Sequence, residues 1–174
     1  MILTGLQIKK EVGKGRIVID PFDEKQINPN SYNFKLGKPI KLYTGKLLDP
    51  RVPNPIVEVE LPETGLALKA SRLYLGHIFE RIGSNYFVPI MKGRSSIGRL
   101  GLFINITADL IDLGAIGCWT LQMHAIQPVI IYPGMLIGQM TFWRISGRPL
   151  LYRGKYQGAK GPMESLAYKD FNTK

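Results

Sequence analysis

Short β-branched and aromatic runs, each cut off within a few residues by Pro, Gly or Asn, constrain this chain more than any other feature. Arg16–Asp20, Asn33–Leu36, Ile56–Leu61, Tyr74–Glu80 and Tyr86–Ile90 have this form. Leu102–Thr107, Cys118–Ala125, Pro128–Tyr132 and Leu136–Trp143 continue it. Such runs are too short for packed helices and have the length of strands. Their regular spacing predicts a mostly β domain, a distorted barrel or sandwich. Pro133-Gly134, between two apolar runs, reads as a type II turn. A single helix is expected, over Leu6–Val12. Thr4 and Gln7 form a capping-box pattern before it, and Gly13 and Gly15 follow it.

At 174 residues, one domain is the default. The β-rich body is expected over residues 1–150. Residues 151–174, polar and Gly-rich, are read either as a frayed tail or as a lid that orders over a ligand. No apolar run reaches the length of a membrane span, and Lys9 and Lys10 interrupt the N-terminal one too early for a signal peptide. A cytoplasmic chain without a membrane partner is expected. Cys118, the one cysteine, cannot close an internal disulfide and reads as an inert, buried thiol. Trp119 and Trp143 read as core or subunit-interface residues.

The formal net charge of +10 points to an anionic partner. Between Arg81 and Gly161 nine basic residues face two acids, Asp109 and Asp112. They are dispersed, whereas surfaces that follow a nucleic-acid backbone are usually denser. A small polyphosphate ligand therefore fits better than a nucleic acid. Zinc chemistry is excluded: two histidines, one cysteine and no PCxxC pair cannot supply a deaminase-type zinc set.

One segment carries chemistry. Lys92-Gly-Arg-Ser-Ser-Ile-Gly-Arg99 packs two arginines, two hydroxyls and two glycines between strand-like runs. Backbone N–H groups freed by glycine, serine hydroxyls and guanidinium forks are the donors that wrap phosphate oxygens. The competing reading is a polar turn with solvated arginines. It is not a Walker loop.

Gly93–Leu102, GRSSIGRLGL, resembles a motif of dCTP deaminases, the deaminase branch of the deoxyuridine-triphosphatase superfamily. Four more pieces resemble that family in order. They are the N-terminal segment with Ile17–Gly37, the Ile111-Asp112 segment with Gly114 and Gly117, Tyr132–Gln139, and Lys155-Tyr-Gln-Gly158 with Gly161-Pro162 and Ser165. Together they span nearly the whole chain. The resemblance implies a homotrimer with sites between subunits. It also implies a pyrimidine (deoxy)nucleotide triphosphate ligand, with magnesium carried on its phosphates. The phosphate set would be Arg94, Ser95, Ser96 and Arg99, with Gln139, Lys155 and Tyr156 as further nucleotide contacts and Asp112 on the deoxyribose. The candidate catalytic set is Gln122, Asp112, Ala108 and His124.

The family deaminates without a metal, through a glutamate that moves protons between water, base and ammonia. The matching residue here is Gln122. A neutral amide accepts no proton at useful pH. Leu110, Leu113, Ala115 and Ala159 also depart from the family pattern. His124, two residues along and on the same strand face, and Asp109 are the replacement proton carriers that the sequence offers. Four functions remain open: deamination of dCTP, phosphate-chain hydrolysis of the dUTPase type, nucleotide binding without turnover and, ranked last, nucleic-acid binding through the basic surface.

Overall fold

A computed structural model of the chain describes residues 1–171. The last three positions of the expected C-terminal unit lie outside the described residues. Thirteen strands are formed among the described residues: β1 (Val18–Asp20), β2 (Tyr32–Lys35), β3 (Pro39–Tyr43), β4 (Ile56–Glu60), β5 (Leu66–Leu68), β6 (Leu73–His77), β7 (Arg81–Gly83), β8 (Phe87–Gly93), β9 (Leu102–Phe103), β10 (Ile116–Gly117), β11 (Thr120–Ala125), β12 (Val129–Ile131) and β13 (Leu136–Arg144). Three short helices accompany them: α1 (Gly5–Gly13), α2 (Ser95–Gly98) and α3 (Tyr168–Phe171). The expected mostly β fold is therefore present. Its pairings are antiparallel, in four sheets ordered β1-β7-β10, β4-β3-β6-β11-β9, β12-β5 and β2-β13-β8. The sheets are not closed into a barrel.

Helix α1 forms where the capping signal predicts. The Thr4 hydroxyl accepts the Gln7 N–H at 3.4 Å, satisfying one orphan donor of the first turn. The box is only half made, because the Gln7 amide turns to Glu11 at 2.6 Å instead of returning to Thr4. Ile8 and Glu11 face inward from α1. A buried carboxylate needs a partner, and Arg16 supplies one. The Arg16 guanidinium holds the Glu11 carboxyl below its ordinary value.

The strands obey the period-two rule where they are longest. On β11, Leu121, Met123 and Ala125 are fully buried, while Thr120, Gln122 and His124 share the half-buried face. Tyr32, Phe34 and Phe142 fill the core below the β2-β13-β8 sheet. Phe34 leaves no room for a side chain at residue 138: a Cβ there would lie 2.1 Å from its ring. The Pro133-Gly134 turn is of type II, with Gly134 at φ +72° and Met135 N–H donating to Tyr132 O at 3.4 Å.

Several expectations needed correction. Only Leu102 and Phe103 of Leu102–Thr107 pair as a strand, and the rest is a loop. The strand expected from Cys118 begins at Thr120. β3, β5, β7 and β10 went unread. The motif after Gly93 is not an open polar turn: Ser95–Gly98 form a single helical turn, α2, with Arg94 at its N-cap. Residues 151–171 do not fray. They are tied along the β10–β11 edge by backbone bonds from Tyr152 to Leu113 (2.8 Å), Gly158 to Ile116 (3.2 Å) and Cys118 to Ala159 (2.7 Å).

Candidate functional site

The half-buried face of β11 floors a cavity of about 470 Å³. Thr120 and Gln122 lie beside Leu73 and Leu75 of β6 and Tyr43 of β3. Register explains the grouping. Gln122 pairs with Leu75, and Leu75 pairs with Lys41, so these three residues form one row across three strands. Directly opposed residues of antiparallel strands point to the same face. Tyr43, two residues beyond Lys41, therefore shares that face as well.

One wall is the loop carrying Ala108, Leu110, Ile111, Asp112 and Ala115. Asp112 opens a tight turn in which Ala115 N–H donates to its carbonyl at 3.0 Å, with Gly114 at φ +87°. The turn leaves its carboxylate exposed at the cavity wall. Trp119 is held by an indole N–H bond to Ile82 O at 2.8 Å. It packs on the core, as expected, and also lines the cavity.

The roof is the C-terminal segment. Tyr152, Tyr156, Ala159 and residues 163–165 line the cavity from above. Hydroxyls hold this segment. Thr120 Oγ1 accepts Met163 N–H at 2.9 Å, Tyr43 Oη accepts Ser165 N–H at 2.7 Å, and Tyr156 Oη accepts Leu166 N–H at 2.9 Å. Between them, Glu164 Oε2 lies 2.7 Å from Lys41 Nζ. The ammonium holds the Glu164 carboxyl below its ordinary value.

The structure thus brings Ala108, Asp112, Gln122 and Tyr156 to one cavity. The phosphate candidates sit elsewhere on the chain and do not line it. Ser95, Ser96 and Arg99 are exposed around α2, which is anchored by buried Ile97. Arg94 donates to Leu136 O at 3.3 Å. Gln139 ties β13 to the base of this motif, accepting from Ser31 Oγ at 2.9 Å and donating to Gly93 O at 3.5 Å. Lys155 is paired with Asp170 and lies 6.0 Å from the centre of the Tyr156 ring.

The two replacement proton carriers fare differently from Gln122. His124 shares its strand face and pairs with cavity-lining Leu73, yet it is not itself part of the lining, and its other partner is Phe103 of β9. Asp109 is bound by Lys92, whose hydrogen bond holds the carboxyl below its ordinary value. His77 is buried, with Nδ1 3.3 Å from Pro39 O, and burial pushes its imidazole down. The Cys118 thiol is half-buried, and burial pushes it up, consistent with an inert group. Among the described residues, no helix is long and apolar enough to cross a membrane.

Sequence reasoning missed Lys41, Tyr43, Thr120 and Glu164. The alternation of Pro-Ile-Lys-Leu-Tyr at 39–43 is the signal that places Lys41 and Tyr43 on one face. Nothing local marks Glu164, whose cation is 123 residues away.

The fold and the site define a small, mostly β domain with a strand-floored cavity roofed by its own C-terminal segment. The family described as dCTP deaminase-like matches residues 2–145, and the chain belongs to that family. A Clostridium beijerinckii protein named dCTP deaminase, dUMP-forming, is 47% identical over 172 residues, covering 98% of this chain and 99% of that protein. Proteins of the same name from Cytophaga hutchinsonii and Leptospira biflexa are 45% and 44% identical, covering 98% and 100% of this chain. The crystal structure of 2'-deoxycytidine 5'-triphosphate deaminase from Agrobacterium tumefaciens has the same fold, with a TM-score of 0.63 and 21% identity. The match covers 81% of this chain, which spans about half (47%) of that one.

Proposed function

We propose that this chain binds a pyrimidine deoxynucleoside triphosphate with its base in the cavity beside Gln122 and acts on it in the direction its relatives are named for, from dCTP toward dUMP. The observation that carries this reading is the convergence of Ala108 and Asp112 from one loop, Gln122 from β11 and Tyr156 from the roof on one cavity. The Gln122 amide offers a donor and an acceptor to the edge of the base. Asp112 accepts a hydrogen bond from a sugar hydroxyl, and the Tyr156 ring covers the base.

The phosphates belong on Arg94, Ser95, Ser96 and Arg99, with Lys155 closing from the tail. Because this set lies outside the cavity of its own chain, the reading requires a neighbouring copy to supply it. A homotrimer with three intersubunit sites meets that need. The donor set fits magnesium carried by the triphosphate: hydroxyls and guanidinium groups hold phosphate oxygens, and the ion needs no protein cage. When bound, it neutralises phosphate charge and orients the chain for attack by water.

A second reading is hydrolysis of the phosphate chain alone, of the dUTPase type. It is favoured by Gln122, which moves no proton, beside Asp112, which keeps its carboxylate. Incubation of the purified protein and magnesium with dCTP, dUTP, CTP and UTP separates the readings. Ammonia from dCTP supports deamination. Pyrophosphate from dUTP without ammonia from dCTP leaves hydrolysis alone. Thermal protection by a nucleotide without any product would sink both reactions and leave a binding protein.

A further inference from the structure

We propose that Glu164, carried over the cavity by the C-terminal segment, is the carboxylate that moves protons during deamination in this chain; the proposal rests on the reading of the cavity as the site of the base.

The cavity's own inventory leads there. Its lining holds two carboxylates, Asp112 and Glu164. Asp112 stands on the outer loop with its side chain exposed. The hydroxyl oxygens of Thr120, Tyr43 and Tyr156 already accept backbone N–H groups of the roof. Gln122 is neutral. Of the two carboxylates, Glu164 is the one that the roof holds over the strand floor, where it can take a proton and give it back.

Its position is set from both sides. Met163 N–H is fixed to Thr120, two residues from Gln122 on the same face of β11. Ser165 N–H is fixed to Tyr43, and Glu164 itself to Lys41. Lys41 lies in the same cross-strand row as Gln122, with Leu75 between them. Two strand spacings separate the ends of that row, about 10 Å between Cα atoms. A long lysine reaching inward and a glutamate reaching down from the roof meet above this row. Their side chains are only 17% and 34% exposed. An ion pair drawn this far out of water costs desolvation, and at this place it borders an apolar cavity.

Lys41 defines the working state. Its ammonium, 2.7 Å from Oε2, positions the Glu164 carboxylate and leaves Oε1 as the oxygen to exchange protons. In the step proposed, a water oxygen bonds to C4 of cytosine while Glu164 takes one water proton and delivers it to N3. Glu164 then takes the proton of the new C4 hydroxyl and gives it to the amino nitrogen. The C4–N bond breaks, ammonia leaves, and C4 keeps the oxygen as a carbonyl. One water is consumed, one ammonia is released, and the carboxylate is restored.

The test measures ammonia release from dCTP with magnesium, alongside the rise in melting temperature that dCTP causes. Glu164→Gln keeps an acceptor for Lys41 and removes the base. It should lower ammonia release by about 10² to 10⁴-fold while dCTP still raises the melting temperature. Adding Gln122→Glu to that variant should restore ammonia release. Release by Glu164→Gln within about threefold of the parent overturns the proposal. So does equal loss of release and of dCTP protection, which would make Glu164 a docking residue only. A parent protein that is protected by dCTP but frees no ammonia also overturns it while leaving the nucleotide site standing. A parent protected by neither dCTP nor dUTP removes the site reading itself, and the proposal with it.

Discussion

The floor and the roof of the cavity are held by different chemistry. The floor is strand: β11 pairs with β6 over five residues and β6 with β3 at Leu75–Lys41, and their far face is buried core. The roof has no such ladder over residues 163–166. Side-chain hydroxyls and one ion pair hold it. Backbone ladders with a buried face open only when the domain opens, whereas a few polar ties release locally. The contrast places rigidity below the cavity and detachability above it, the arrangement that the proposed nucleotide site needs in order to close over its ligand.

The contrast can be broken or sharpened by measurement. The largest effect belongs to the core beneath the strands. Leu121→Ala, on the buried face of β11 and with no exposure, should cost about 2–5 kcal/mol in denaturant unfolding. A cost below about 1 kcal/mol would deny the strands their rigidity. Next comes Gly138→Ala, which drives a methyl into the Phe34 ring. Overpacking of this kind should cost about 1–3 kcal/mol. Neither substitution should selectively expose the C-terminal segment to protease.

The roof should show the opposite pattern. Tyr43→Phe removes one tie and should cost about 0.5–1.5 kcal/mol. Yet it should speed proteolysis near residues 151–171 well before global unfolding, and dCTP should slow that cleavage again. If cleavage tracks global unfolding instead, floor and roof are one cooperative unit. The smallest and most diagnostic effect is in pH. The Glu164 carboxyl is held below its ordinary value of 4.5 by Lys41, and the Glu11 carboxyl likewise by Arg16. A depressed acid stabilises fully above the ordinary value and loses that stabilisation as pH falls through the folded value. Lowering the pH from 7 to below 4.5 should therefore release the roof through Glu164 and weaken α1 through Glu11. Glu164→Gln should flatten only the first response, read as protease sensitivity against pH.

These two regions were also unequally legible in the sequence. The floor strand β11 was readable because Thr-Leu-Gln-Met-His-Ala alternates without interruption, and the same alternation put Gln122 and His124 on one face. It did not reveal that the cavity ends before His124, since that depends on what β9 and the roof cover. Strand β3 was missed because Pro39 and Lys41 break its apolar signal; the inward face of Lys41 carries a charge that Glu164, far away in the chain, pairs with. The Ile104–Thr107 stretch was over-read for the converse reason: its pattern suits a strand, but no neighbouring strand is offered to it. The one-turn helix α2 was hidden by glycines and serines that favour turns. The roof was read as frayed or functional from composition, which cannot see hydroxyls supplied by distant strands. Contacts that join residues more than a hundred positions apart leave no local pattern.

The row formed by Lys41, Leu75 and Gln122 also bears on which length changes the chain can absorb. Strand faces alternate residue by residue, so one residue inserted into β6 upstream of Leu75 would turn that strand over between two fixed neighbours. Tyr74 would exchange places with Leu75, bringing a phenol to the cavity and removing it from the core. The exposed stretch at 44–55, which joins β3 to β4, has no such parity to keep. Insertions and deletions should therefore be tolerated in that connection and rejected within β6, whatever residues they contain.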